Sequence, residues 1–267
     1  MLNDLLISGG EDKKGLSPRT VNAARRTLKT ALEKAYHLRK LPCNPVDGTK
    51  ACRTDRAIIA ILSRADAKKL LDVSKSYEQN AYIVLLALST GMRIGEIFGL
   101  LWENIDLQGK KLYVRQSLVS TNHGYHLEPS PKTKAGHRQI DLPEHCVEEL
   151  CKHLKWQEKQ KAEWLDQWRD KGIVVANCNG NYKDPNHFSY VIFKRLLEMA
   201  GIKERIRFHD LRHTHATWLL EKGIHPKVVS ERLGHSSIRI TLDTYSHVIK
   251  SMQQAAVKKL DEIASDW

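Results

Sequence analysis

Residues 209–245, HDLRHTHATWLLEKGIHPKVVSERLGHSSIRITLDTY, decide how this chain is read. His209 and Arg212 stand at i and i+3 of a helical pattern, so they share a face. An arginine fork matches two phosphate oxygens. A histidine beside it exchanges a proton with an attacking or leaving oxygen. The pattern breaks at Leu233-Gly234-His235, and an imidazole at such a helix junction is placed to donate to a phosphate oxygen. Tyr245 follows ten residues later. A phenol with a pKa of about 10 is a poor nucleophile until cationic neighbours lower the cost of ionising it. Each feature alone is weak. H-x-x-R arises by chance, a histidine after a glycine is more often a surface residue, and most tyrosines pack.

Working outward, residues 89–106 read STGMRIGEIFGLLWENID. Gly91 is a natural helix stop. Arg93 lies just beyond it, where the start of a new helix and the side chain both favour phosphate. Glu96, at i+3, reads as a buttress for that arginine. Lys111–Val119 alternates as a strand, and Asn122-His123-Gly124 turns the chain. His126–Glu128 and His137–Leu142 supply two further short strands, with the basic loop PSPKTKAG between them.

The remaining pattern is helical. Ser17 and Pro18 open an amphipathic helix over residues 17–41, which Pro42 and Pro45 end; the irregular stretch to about Thr54 is the candidate linker. Ser63 with Asp66 reads as a capping box. Helices are expected over 78–90, 144–170 and from Asp184-Pro185 to Gly201, and a small strand over Ile173–Ala176. Trp156, Trp164 and Trp168 read as packing residues. The fold class is mainly α with one small antiparallel β-sheet, an α+β arrangement.

Composition limits the partners. The 267 residues suffice for one large domain, or one domain and a smaller piece. A formal charge of +12 points to an anionic partner, nucleic acid ahead of an acidic membrane surface. The five cysteines contain no C-x-x-C pair, so neither a disulfide framework nor a zinc site is indicated and a reducing cytoplasm fits. The opening MLNDLLISGGEDKK has no apolar core behind a basic head, and no apolar run reaches the length of a membrane span.

Four ordered stretches, TGMRIGEI with LLWENID, PKTKAGHRQIDL, HDLRHTHAT and VSERLGHSSIRITLDTYSH, together resemble the tyrosine recombinases of the lambda-integrase family, phage and conjugative-transposon integrases in particular. The resemblance covers about residues 58–250. It implies a tyrosine-recombinase catalytic fold over residues 57–250, preceded by a partial helical core-binding segment at 1–56 and followed by a C-terminal helix at 251–267 that docks on a neighbouring protomer. It implies that Arg93 and Arg212 bind the scissile phosphate, that His235 hydrogen-bonds it, and that His209 helps accept the proton of the nucleophile Tyr245. Lys132 matches the general acid for the 5′-oxygen. Lys134 and Arg138, on and beside the same loop, are expected to touch DNA. His213 and His215 lie outside the matched positions and read as structural.

The implied activity is site-specific DNA cleavage and rejoining through a 3′-phosphotyrosyl link, with no metal, nucleotide or other cofactor. The implied partners are double-stranded DNA carrying specific sites, three further copies of the chain on that DNA (a monomer in solution), and an excision factor, but no membrane. The setting is the cytoplasm of a bacterium, with a bacterial or phage gene and a nucleoid association. Competing readings are nicking and relaxation of the type IB topoisomerase kind, and a DNA-binding regulator without catalysis. A metal-dependent phosphohydrolase is a third, prompted by His209-Asp210 with His213 and His215.

Overall fold

The computed structural model describes residues 2–54, 59–76, 80–129 and 137–246, with Val248, Val257, Leu260, Asp261 and Ala264 beyond them. The chain forms two compact units, Met1–Ile58 and Ile59–Trp267.

In the first unit, helix α1 (Leu2–Ser8) precedes α2 (Pro18–His37). Ser17 Oγ accepts the amide of Thr20 at 3.2 Å, and Pro18 occupies the first helical position. Helix α2 stops at His37, earlier than the pattern to 41 suggests, and Arg39 then takes a left-handed φ of 54°. The following stretch is not slack. Asn22 exchanges two 2.8 Å hydrogen bonds with the backbone of Cys52, and Arg25 donates to Thr49 Oγ1 and to its carbonyl. Asn44 donates to Glu33 and to the Lys29 carbonyl. The sequence offered a linker here; polar side chains of α2 instead strap it down.

The second unit is built around α4 (Ala81–Thr90), which is apolar on all sides and almost wholly buried. Helix α3 (Arg64–Ser76) packs on it, opened by Ser63 Oγ accepting the Asp66 amide at 3.0 Å. Helix α5 (Ile94–Phe98) follows Gly91. Strands β1 (Ile105–Asp106), β2 (Lys111–Val114) and β5 (Arg138–Asp141) form one antiparallel sheet in the order β1-β2-β5. Strands β3 (Gln116–Thr121) and β4 (Gly124–Pro129) form a separate hairpin. Among the described residues two sheets therefore stand where one was expected, and the predicted strand 111–119 is broken at Arg115. Just beyond the break, Gln116 pairs with Pro129 at the start of the hairpin and its side chain donates to the Gly99 carbonyl beside α5.

Helix α6 (Glu144–Trp164) packs on α4 through Val147, Leu150 and His153, whose ring stacks on Tyr82 at 3.6 Å between centroids. Ile173–Ala176 is not a strand; its ends make only single bridges, to Leu101 and Tyr182. Helix α7 (Pro185–His187) runs through a π turn at Phe188–Ile192 into α8 (Phe193–Met199). Helices α9 (Asp210–Glu221), α10 (Pro226–Leu233) and α11 (Ile238–Thr244) complete the described unit.

Gly91 controls how α4, α9 and α10 meet. Its φ is +66°, and a Cβ there would lie 2.6 Å from Leu233 Cδ2 and 2.7 Å from His215 Cδ2. Backbone strain at a left-handed position costs about 1–3 kcal/mol for a non-glycine residue. Gly91→Ala is therefore expected to lower unfolding free energy by at least about 1 kcal/mol, read as a lower urea midpoint with an unchanged m value.

Candidate active site

Helix α9 is set at its start by a clasp. Asp210 accepts the Arg207 amide at 2.8 Å and the Arg207 guanidinium at 2.7 and 3.1 Å. Thr214 Oγ1 then bonds the Asp210 carbonyl and receives the Leu62 amide at 3.0 Å. With the helix held this way, Arg212 is 4% exposed and donates to the Gly91 carbonyl at 2.7 Å. Burial, with the nearby Arg93 charge, pushes the Arg212 pKa down to about 9. Among the described residues no carboxylate is ion-paired with it, although the Glu96 charge acts on it from a distance. A buried cation in that state favours an incoming anion.

Arg93 caps α5. Its amide donates to Glu96 Oε2 at 2.9 Å and its guanidinium to Glu96 Oε1 at 2.8 Å, so the i+3 carboxylate is the buttress the spacing suggested. The Arg93 side chain stays 45% exposed and also reaches the Gly234 carbonyl at 3.4 Å. Glu96 has a second partner. Arg138 places two nitrogens on its carboxylate, at 2.7 and 3.1 Å, and its Nε on the Arg232 carbonyl at 2.8 Å. The Arg138 side chain is only 6% exposed. Its fork is committed to the Glu96 carboxylate and the Arg232 carbonyl, and planar fork–carboxylate geometry favours that arrangement. Burial opposes ionisation of Glu96, yet the hydrogen bonds and charge of Arg138, with those of Arg93, hold its pKa below the ordinary 4.5.

His235 follows the left-handed Gly234 that ends α10, and its Nδ1 meets Thr241 Oγ1 at 2.8 Å. Burial and the charges of Arg212 and Arg93 bring its pKa to about 4, so the ring is neutral near pH 7. His209 stands at the N-terminal boundary of α9, its pKa lowered by desolvation and by Arg212. Arg93, Glu96, His209, Arg212, His213 and His235 share a cleft of about 790 Å³ that Ser117 and Val119 of β3 also line.

Tyr245 ends α11 and is 1% exposed. Burial raises its pKa to about 12 against the opposing effect of Arg212. Its Oη meets His213 Nδ1 at 2.9 Å. This contact gives His213 more than the structural role expected of it. A signal was available: His213 is at i+4 from His209, on the same helical face as His209 and Arg212. His215, by contrast, is structural. Its Nδ1 faces the Leu88 carbonyl at 2.7 Å, so that nitrogen carries the proton, and Nε2 accepts from Arg232 at 3.2 Å.

Lys132 and Lys134 lie outside the described residues, as does most of the 251–267 segment. Among the described residues, no group of three or more His, Cys, Asp or Glu is placed to hold a metal ion, and no helix is long and apolar enough to cross a membrane.

Comparison with known proteins bears on this geometry. The family model described as "Phage integrase family" matches residues 60–252. A protein called tyrosine recombinase XerC-like, from Caldanaerobacter subterraneus subsp. tengcongensis, is 33% identical over 94% of this chain and 68% of its own length. The transposase of transposon Tn916 from Enterococcus faecalis is 29% identical over 94% of this chain and 64% of its own length. Among solved structures, the Tn1549 transposon integrase in complex with a circular intermediate DNA superposes with a TM-score of 0.76 at 25% identity, over 92% of this chain and 81% of that one. A lambda integrase dimer bound to a core site superposes at 0.60 and 22% identity, over 91% of this chain and 61% of that one, a likeness of fold.

The Glu96 network predicts a stability change. Removing one partner of a buried charge pair costs on the order of 3 kcal/mol, because the remaining charge is left uncompensated. Glu96→Gln is expected to lose about that much at neutral pH, read from urea unfolding. Because the folded pKa of Glu96 is depressed, its contribution is present above 4.5 and is lost as pH falls through the folded value. The gap between wild type and Glu96→Gln should therefore narrow as pH drops below 4.5.

Proposed function

The chain belongs to the phage integrase family of tyrosine recombinases, and on that premise we propose that it cuts and rejoins double-stranded DNA at specific sites through a covalent 3′-phosphotyrosyl intermediate. One observation carries the reading: two arginines and three histidines from three separate segments converge on one cleft, and Tyr245 is buried beside them.

The roles follow from what each group offers. Arg93 and Arg212 hold the non-bridging oxygens of the scissile phosphodiester, Arg93 from the exposed side and Arg212 from within. His235, neutral and steadied by Thr241, adds a hydrogen-bond donor. As charge grows on the pentacoordinate phosphorus, these fixed donors stabilise it without rearranging. Tyr245 attacks, the bond to the 5′-oxygen breaks, and a 5′-hydroxyl is freed. The family resemblance assigns the leaving-group proton to Lys132 and gives His209 a share in accepting the tyrosine proton. A second strand's 5′-hydroxyl then attacks the phosphotyrosine, so the phosphoester bond energy is kept through the covalent step.

The DNA partner is supported by the net charge of +12 and by the DNA in the solved structures of the Tn1549 and lambda integrases. The working assembly in this reading is a homotetramer on DNA, joined through the C-terminal segment. Val257 and Leu260 of that segment are 53% and 60% exposed, and the catalytic unit carries an apolar groove of about 880 Å³ lined by Leu71, Leu85, Trp218 and Leu219. The relatives come from bacteria and from phage, in keeping with action in the bacterial cytoplasm.

The target site is best found by the reaction itself. Randomised duplexes, each carrying a nick to trap the cleaved strand, are incubated with the protein, and DNA that stays attached after denaturation is recovered and sequenced. The expected result is enrichment of a defined sequence in the covalent fraction. Tyr245→Phe should yield no adduct, and an adduct from that variant would overturn the nucleophile assignment. Arg212→Lys should slow adduct formation on the order of 10²-fold, because a point charge replaces the planar fork.

A further inference from the structure

The nucleophile needs a proton acceptor, and one side chain already lies within hydrogen-bond distance of its hydroxyl. We propose that His213 is a catalytic residue that accepts the Tyr245 phenolic proton at Nδ1 as the tyrosine attacks phosphorus. The proposal rests on the recombinase reading above and revises one part of it, the share given there to His209.

Three observations carry it. His213 Nδ1 lies 2.9 Å from Tyr245 Oη, within direct proton-transfer reach. His213 also lines the cleft in which the phosphate-binding arginines meet, so the imidazole sits where phenol and cleft adjoin. His209 is turned differently: its ring stands edge-on to that of His213, with centroids 5.2 Å apart.

The charge state agrees. The groups facing His213 are His209, Asp210, Arg212 and Arg207 from its own helix and the turn before it, with Tyr245 and His235 from the elements packed against it. Burial, and then the cationic neighbours, bring its pKa to about 4. The ring is therefore neutral near pH 7, and in the tautomer protonated at Nε2 its Nδ1 lone pair accepts the phenolic hydrogen. A bound phosphodiester anion brings negative charge into the cleft and raises the basicity of the imidazole when a base is required.

The proton balance closes over a full cycle. In cleavage, the Oη–H bond breaks and an N–H bond forms at His213 Nδ1. The Oη–P bond forms, and the P–O5′ bond breaks with its electron pair going to O5′, which is protonated by the general acid assigned to Lys132. In rejoining, the incoming 5′-hydroxyl attacks phosphorus and gives up its proton to the Lys132 amine. The P–Oη bond then breaks, and the phenolate recovers its proton from the His213 imidazolium. No external proton is consumed.

The test uses the duplex recovered by covalent selection, in two forms: the natural phosphodiester, and one with sulfur in place of the bridging 5′-oxygen. A thiolate leaves without protonation, so defects confined to the general acid vanish on the second form. His213→Asn keeps an amide atom near the position of Nδ1 but cannot take a proton. It is expected to slow single-turnover adduct formation by about 10²-fold or more on both forms. His213→Gly should be partly restored by added imidazole, the restoration growing with the neutral imidazole fraction; a misfolded variant gains nothing from imidazole. A wild-type rate in His213→Asn would overturn the proposal. A faster rate would do the same, since the contact would then be a brake. So would a defect seen only with the oxygen substrate, or a slow His213→Gly that imidazole leaves unchanged. Failure of the underlying reading is separate: the wild type would then form no adduct at all, or Tyr245→Phe would still form one.

Discussion

Positive charge has to be gathered without tearing the fold apart, and the Glu96 carboxylate is what permits it. Arg93, Arg138 and Arg212 crowd together in a protein that already carries +12. Glu96 receives three guanidinium nitrogens and one amide, from Arg93 and Arg138. That carboxylate neutralises one arginine for structural use and orients a second toward the cleft. Arg212 is left as the buried charge without a carboxylate at contact distance among the described residues, anchored on the neutral Gly91 carbonyl.

Backbone carbonyls do most of the remaining positioning. Gly91 offers its carbonyl to Arg212, while its lack of a side chain admits Leu233 and His215. Arg232 spans the Ser89 and Asp141 carbonyls and the His215 ring, tying α10 to α4 and to the end of β5. These contacts hold α10, and so the Gly234-His235 turn, against the segment that carries Arg93. A carbonyl acceptor carries no net charge, so it steers a guanidinium without quenching it.

Local features were legible in the sequence because they depend on residues a few positions apart. Ser17, Ser63 and Gly91 marked helix ends by their own chemistry, and Arg93 with Glu96 announced an i,i+3 pair. The reading weakened where a side chain's partner is distant. Arg138 looked like a free cation beside a basic loop; its carboxylate lies 42 residues away. The alternation over Lys111–Val119 gave no warning that the strand would break at Arg115, with the Gln116 side chain beyond it on the Gly99 carbonyl. Ile173–Ala176 is apolar enough for a strand, but burial can be met without a ladder, and there it is.

The sequence by itself determined the inventory and its order: a mainly helical chain with short antiparallel strands, and the arginine, histidine and tyrosine positions by which it resembles the tyrosine recombinases. Helical spacing even placed His209, Arg212 and His213 on one face. Only the tertiary structure decided which of those groups meets which. Tyr245 and His213 are 32 residues apart, and Arg212 and Gly91 are 121 apart. Contacts over such separations are set by how α4, α9, α10 and α11 pack, and packing follows from buried shape shared across the whole unit rather than from any short run of residues. That is why the stretch from His209 to Tyr245 suggests a phosphate chemistry from its residue types alone, while the imidazole against Tyr245 becomes visible only in the fold.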